Sequence, residues 1–195
     1  MKRYSLNFDR AVLCLVLVLS GCGKVYSSKF HASQALTQGI SKVAVLSFND
    51  LTGQDGISPV MANLFSDELS RRWGVEVIQG DALNRALEER RVSPEDTTSR
   101  AFAAKVAEAL GVQAVIFGDI LEYRYRKWFT GTKGMSEDPV VCLSARMVNG
   151  RTGTVVWAGT NVRTGYAIFS TGRDPLSGVA ELVVRDLVKT IKIKK

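Results

Sequence analysis

Cysteine, histidine and paired carboxylates are the residue types from which this sequence could build reactive chemistry, and it holds few of them. There are three cysteines, Cys14, Cys22 and Cys142, and one histidine, His31. His31 stands far from Cys142 in the sequence, so nothing supports a Cys/His nucleophile pair. Zinc takes its ligands mainly from Cys and His, and too few are present for a site. Asp50, Asp55 and Asp119 each fall near a strand end, where an acid/base pair is conceivable. Turns and caps use aspartate in the same places, however, and no nucleophile elbow accompanies these three. The expectation is no catalytic, cofactor-binding or metal-ligating residue, and no enzyme.

Spacing points to chemistry at the N-terminus. Lys2, Arg3 and Arg10 make a basic start, Ala11 to Leu19 is an unbroken apolar run, and Ser20, Gly21 and Cys22 come directly after it. That order describes a secretory signal peptide. The apolar run is about half the length a membrane-spanning helix needs. The thiol directly after Leu19-Ser20-Gly21 resembles the lipobox of bacterial lipoproteins, in which the cysteine is acylated before cleavage and becomes the first mature residue. The resemblance implies a signal peptide over 1–21 and covalent diacylglycerol and N-acyl lipid on Cys22. It also implies a lipidated tether over 22–40 and one domain over 41–195. Each buried methylene is worth about 0.8 kcal/mol and stable attachment takes more than one chain, so this anchor would be permanent. Gly23 replaces the aspartate that holds enteric lipoproteins at the inner membrane. The implied destination is the outer membrane, at its periplasmic face.

An envelope location decides how the charge reads. The chain carries +7, of which Lys2, Arg3 and Arg10 against Asp9 contribute two, leaving five on the remainder. In the cytoplasm such a balance suggests nucleic acid; here no nucleic acid and no small-molecule substrate is expected. Lys189, Lys192, Lys194 and Lys195 crowd the C-terminus and read as a solvated tail. With Cys14 leaving in the signal and Cys22 acylated, Cys142 makes no intrachain disulfide. It lies in a strand-like run, Val140 to Ala145, and reads as a small buried hydrophobe.

The remaining length, roughly 155 residues, suits one domain burying about two-thirds of its surface. Lys42 to Phe48 reads as a central strand, Asn49 to Gly56 as a loop, and Ile57 to Trp73 as a helix with Val60, Leu64, Phe65 and Leu69 inward. Gly74 ends that helix and Val75 to Ile78 is a second strand. Asp81 caps a helix running through Arg90, and Ser93 to Asp96 breaks the chain. A helix from Ser99 stops at Gly111, and Val112 to Phe117 is a third strand. After Gly118 the period changes: Leu121, Tyr123 and Tyr125 alternate with Glu122, Arg124 and Arg126, as in a strand with one wet face. Pro139 to Val148 and Thr154 to Asn161 flank the turn Asn149-Gly150-Arg151-Thr152-Gly153 and form a hairpin. Asp174-Pro175 caps a last helix striped by Leu176, Val179, Val183, Leu187 and Ile191. The fold class is α/β: a single domain with a mixed sheet, parallel βαβ units before antiparallel strands, flanked by helices. The two parallel crossovers should be right-handed.

Between Tyr123 and Phe129, aromatic residues interleave with Arg124, Arg126 and Lys127. These are the types that carry interface hot spots. Tyr125, Trp128 and Phe129 are the expected partner surface, before a polar loop over Thr130 to Asp138.

Four stretches resemble the family of the curli secretion channel (CsgG), the TolB N-terminal-like domains and the penicillin-binding-protein activator LpoB. They are Lys42 to Gly53, the strand Gly111 to Asp119, the strand Leu143 to Val148, and the hairpin Arg151-Thr152-Gly153-Thr154-Val155-Val156-Trp157. The likeness covers roughly Lys42 to Ile191. It implies a non-enzymatic lipoprotein that assembles with envelope proteins or itself, as a scaffold component of an envelope complex. The alternatives are a subunit of a curli-type secretion channel and an activator of a peptidoglycan synthase. A membrane hairpin needs strands of about 9–11 alternating residues, and only about nine residues separate Phe129 from Pro139. Gly23 to Ser41 reaches at most about 65 Å, short for crossing peptidoglycan.

Overall fold

The computed structural model describes residues 26–31, 37–92, 100–129, 135–164 and 176–193. In chain order the elements are β1 (Tyr26–His31), β2 (Lys42–Val45), β3 (Asn49–Asp50), α1 (Ile57–Trp73), β4 (Glu76–Ile78), α2 (Gly80–Glu89), α3 (Arg100–Leu110), β5 (Ala114–Phe129), β6 (Met135–Asn149), β7 (Val155–Thr164) and α4 (Leu176–Thr190). Cys22 and its leader, the Ser93–Asp96 break and the Asp174-Pro175 cap lie outside the described residues.

Successive side chains of a strand point to opposite faces, and β2 is apolar on both. Val43 and Val45 are buried on one face; Ala44 and the adjoining Leu46 are buried on the other. Such a strand needs cover on both sides. Helices α1 and α4 pack on the first face, over Phe48, Ile116, Ile120, Leu143 and Met147. Helices α2 and α3 pack on the second, where Leu83, Leu87, Phe102 and Val106 meet Val115, Phe117 and Val148. The domain is therefore a mixed α/β sandwich with one sheet of order β1-β7-β6-β5-β2-β4, β3 pairing with β5. Strands β5, β2 and β4 are parallel; β5, β6, β7 and β1 are antiparallel.

On the first face, Phe65 sits between Phe48 and Trp157, with ring centroids 5.6 and 6.3 Å away. The Trp157 indole N–H donates to Thr190 Oγ1 at 2.9 Å, so the ring is buried with its polar atom satisfied. Gly118 permits the close approach of β5 to β6. A Cβ there would run into the Ser144 carbonyl and come within 2.8 Å of Phe48.

Several expectations are corrected. Val60 is 47% exposed, and the buried stripe of α1 runs instead through Ile57, Met61, Phe65 and Leu69. The Ser58 hydroxyl donates to the Phe48 carbonyl, fixing the first turn in that rotation. Helix α2 begins at Gly80 after an extended Gln79, so Asp81 stands in the first turn rather than at the cap. Strand β2 stops at Val45, β6 begins at Met135 rather than Pro139, and β5 runs unbroken for 16 residues through Gly118. The sheet also takes in β1, from the segment expected to be tether. The C-terminus is packed as far as Ile193: Ile191 and Ile193 are buried, and Thr37 Oγ1 donates to the Lys192 carbonyl at 2.6 Å.

Candidate functional site

The expected partner residues lie on an arm. Strand β7 ends opposite β6 at the pair Val140↔Thr164, and β3 touches β5 only at Asp119 and Ile120. Beyond those points β5 and β6 continue together, from Tyr125↔Pro139 to Phe129↔Met135, paired only with each other among the described residues. A bulge at Leu121, between the pairs Ile120↔Leu143 and Glu122↔Cys142, sets the phase of the arm. It turns Leu121 outward, 44% exposed, and brings Tyr123 against the core beneath α1 and α4. Two residues on, Tyr125 is 43% exposed, and Phe129 is 71% exposed. The side chain of Trp128 lies outside the described residues, although its backbone pairs with Ser136.

The cations of the arm are partnered. The Glu122 carboxylate meets Arg124 at 2.7 Å and Arg126 at 3.4 Å, and Lys127 meets Glu137 at 3.3 Å. These heads are solvated, and such pairs contribute little stability. Burial pushes the Tyr123 hydroxyl above its ordinary value, with nearby Tyr125 adding to the effect.

The carboxylates expected near strand ends have structural partners. Asp50 accepts the Thr52 hydroxyl at 2.6 Å, the Thr52 N–H at 2.8 Å and the Gln54 N–H at 3.0 Å. The Thr52 hydroxyl bond is the main reason its carboxyl lies below the ordinary value of 3.8. Asp119 accepts from Asn49 Nδ2 at 3.3 Å. The Gln54 side-chain amide donates to the Tyr123 carbonyl at 2.7 Å, fastening this loop to the root of the arm. Asp55 is exposed in the same loop. Asp50 and Asp55 therefore belong to one turn, and Asp119 stands beside it on β5, across from Asn49.

Cys142 is half-buried, not fully buried as expected. Burial raises its thiol above 9.0 and the Glu122 charge raises it further, so it stays protonated at neutral pH. The pairings Tyr26↔Val162 and Val162↔Cys142 put the start of β1 level with Cys142, and His31 is five strand steps, about 17 Å, further along. That register keeps the two residues apart along the sheet. Among the described residues no group of three His, Cys, Asp or Glu side chains could hold a metal ion.

Sequence reasoning missed a second charged feature. Glu68 is buried in α1, yet its carboxylate is held by Arg71 and, at 3.3 Å, by Arg72. It borders an open groove of about 280 Å³ between α1 and α4, with Asp67, Glu181 and Arg185 on the walls. The i, i+3 and i, i+4 spacing of Glu68, Arg71 and Arg72 was the available signal.

No protein-family model matches the sequence, and neither does any curated protein. Solved structures do match in fold. PelC from Paraburkholderia phytofirmans, solved as a dodecamer, is 22% identical with a TM-score of 0.56, over 89% of this chain and all of that one. Lipoprotein GNA1162 from Neisseria meningitidis is 16% identical with a TM-score of 0.56, over 76% of this chain and 96% of that one. The C-terminal domain of LpoB from Salmonella enterica is 14% identical with a TM-score of 0.47, over 78% of this chain and 93% of that one. The mixed α/β domain of this chain is thus a fold that a bacterial lipoprotein and a dodecamer-forming protein also adopt.

Proposed function

We propose that this chain is an outer-membrane lipoprotein, anchored at the periplasmic face by acyl chains on Cys22, that serves as a non-enzymatic assembly component of a cell-envelope complex. One conjunction carries the reading. A thiol placed directly after Leu19-Ser20-Gly21 precedes a domain whose fold matches PelC, a dodecamer, across nearly the whole of both chains. Function then resides in protein surfaces, with other copies of the chain as the first partner. The engagement of Asp50, Asp119 and Cys142 in turns and packing supports a role without catalysis.

The short link argues against an activator that spans peptidoglycan. Three residues separate Cys22 from Tyr26, where the sheet begins, so the free reach is about 14 Å rather than about 65 Å. The test is the native mass of the full chain extracted in mild detergent. A discrete ring-sized oligomer is expected; a monomer overturns self-assembly. A Cys22→Ser variant should lose its membrane association, and a variant that still fractionates with the outer membrane overturns the anchor.

A further inference from the structure

Strand register links the anchor to the arm. Tyr26 pairs with Val162, Val162 with Cys142, and Cys142 with Glu122, so the first residue of β1 is level with Glu122 three strands away. β1 runs away from that level toward His31, so the chain enters the sheet at the end from which the arm projects. Cys22 lies within about 14 Å of Tyr26. From Glu122 to Phe129, β5 advances seven residues, about 24 Å. Three strand steps of sheet twist turn the arm by about 60–75° relative to β1. Along the direction of β1 it therefore rises only about 6–12 Å and extends sideways for the rest. The arm thus lies within the range of heights that the link lets Cys22 reach on that side of the domain.

From this juxtaposition we propose that the β5–β6 arm is a second membrane contact, laid along the phospholipid surface beside the anchor with Tyr125 and Phe129 in the interfacial layer. The inference rests on acylation of Cys22. Aromatic rings with an apolar body settle at the level of the lipid head groups, and long cationic side chains such as Arg126 and Lys127 lie along such a surface with their heads in water. Glu122 and Glu137 already pair the arm's cations, so net charge is a small part of the attraction. The contact should accordingly form on zwitterionic vesicles and persist in high salt. Two attachment points, one acylated and one aromatic, would fix the tilt of the domain, which a single attachment point cannot do.

The test uses the full lipidated chain in phosphatidylcholine vesicles, with Cys142→Ser removing the one free thiol among the described residues. An environment-sensitive fluorophore is placed at Phe129→Cys and, in a separate protein, at Arg151→Cys in the exposed β6–β7 turn at the opposite end of the sheet. Position 129 should show a blue-shifted emission and quenching by brominated lipid, at low and at high salt, and position 151 should show neither. If the chain floats with vesicles and position 129 behaves like position 151, the arm proposal is overturned while the anchor stands. A blue shift at 129 that brominated lipid does not quench means protein covers the arm, and it also overturns the proposal. A chain that fails to float with vesicles overturns the anchor, and the arm with it.

Discussion

The two halves of the sheet solve the same burial problem differently. In the parallel half, β2 and the first part of β5 are covered on both faces, by α1 and α4 on one side and α2 and α3 on the other. Their sequences are correspondingly continuous, as in Ala114-Val115-Ile116-Phe117, all buried. In the antiparallel half the first face is covered, whereas helix cover on the second extends no further than Val148 of β6 and Val155 of β7. Along β6, Val141, Leu143 and Ala145 are buried while Cys142, Ser144 and Arg146 are half-buried or exposed. Thr160 continues this polar face on β7 and donates to Ser144 Oγ at 3.2 Å. The covered half works as a scaffold, and the half with the more open face carries the arm and β1.

The contrast predicts opposite patterns for neighbouring substitutions. In the parallel half, Phe117→Ala should cost about 3–5 kcal/mol and Ile116→Ala about 2–5 kcal/mol, because both side chains are buried against helices. In the antiparallel half, Leu143→Ala should cost about 2–5 kcal/mol while Ser144→Ala stays within about 0.5 kcal/mol. Urea denaturation of the four variants measures this directly. A neutral Phe117→Ala would show that α2 and α3 contribute little, and the comparison would break.

Where the halves join, Gly118→Ala should cost about 1–3 kcal/mol. Its methyl group meets the backbone of β6, which can yield only by spreading the two strands. The same denaturation experiment applies, and a stability equal to wild type would mean that β5 and β6 can separate there without loss.

How far the sequence revealed this division depends on what each residue encodes locally. Helix α1 is legible residue for residue in extent, because Gly74 at φ 60° accepts the left-handed stop that its spacing suggests. Its rotation is not legible, since Val60 and Met61 are both apolar and only the sheet selects between them. β5 reads as two strands because its pattern changes at Gly118. The change marks the place where helix cover ends on one face, and the strand itself continues. The bulge at Leu121 then shifts the expected alternation by one, so Leu121 and Tyr123 do not share a face. β1 is not legible because Tyr-Ser-Ser-Lys-Phe-His has little alternation; the free edge of β7 supplies its order. At the arm, the types and positions of Tyr125 and Phe129 are legible. Its alignment with the start of β1 is not, because register across three strands is a tertiary property.

Smaller effects probe the loop that fastens the arm. The folded Asp50 carboxyl titrates below its ordinary 3.8 because Thr52 and Gln54 donate to the charged form. A group with a depressed folded value stabilises above the unfolded value, and that contribution is lost as pH falls through the folded value. Asp50→Ala should therefore lower stability at pH 7, and the gap from wild type should close on acidification below 3.8. Denaturation midpoints of both proteins across that range measure it. A gap independent of pH would mean that packing, rather than charge, sets the role of Asp50.

The smallest expected effect, on Cys142, tests the open face itself. Its thiol is raised above 9.0 first by burial and second by the Glu122 charge, so alkylation should be slow at pH 8 and accelerate well above that value. Glu122→Gln removes the repulsion but not the burial, so the rate at a fixed pH should rise modestly and stay below that of a free thiol. A cysteine placed next door, by Leu143→Cys in a Cys142→Ser background, faces the helices and should react only when the domain opens. The two thiols sit one residue apart on one strand, so backbone exposure is the same for both. If both react at one rate in the native protein, β6 has no covered face, and the two halves of the sheet are not distinct. If Cys142 alone responds to Glu122→Gln, the open face is continuous from β6 to the root of the arm, on the side where Glu122 pairs with Arg124 and Arg126.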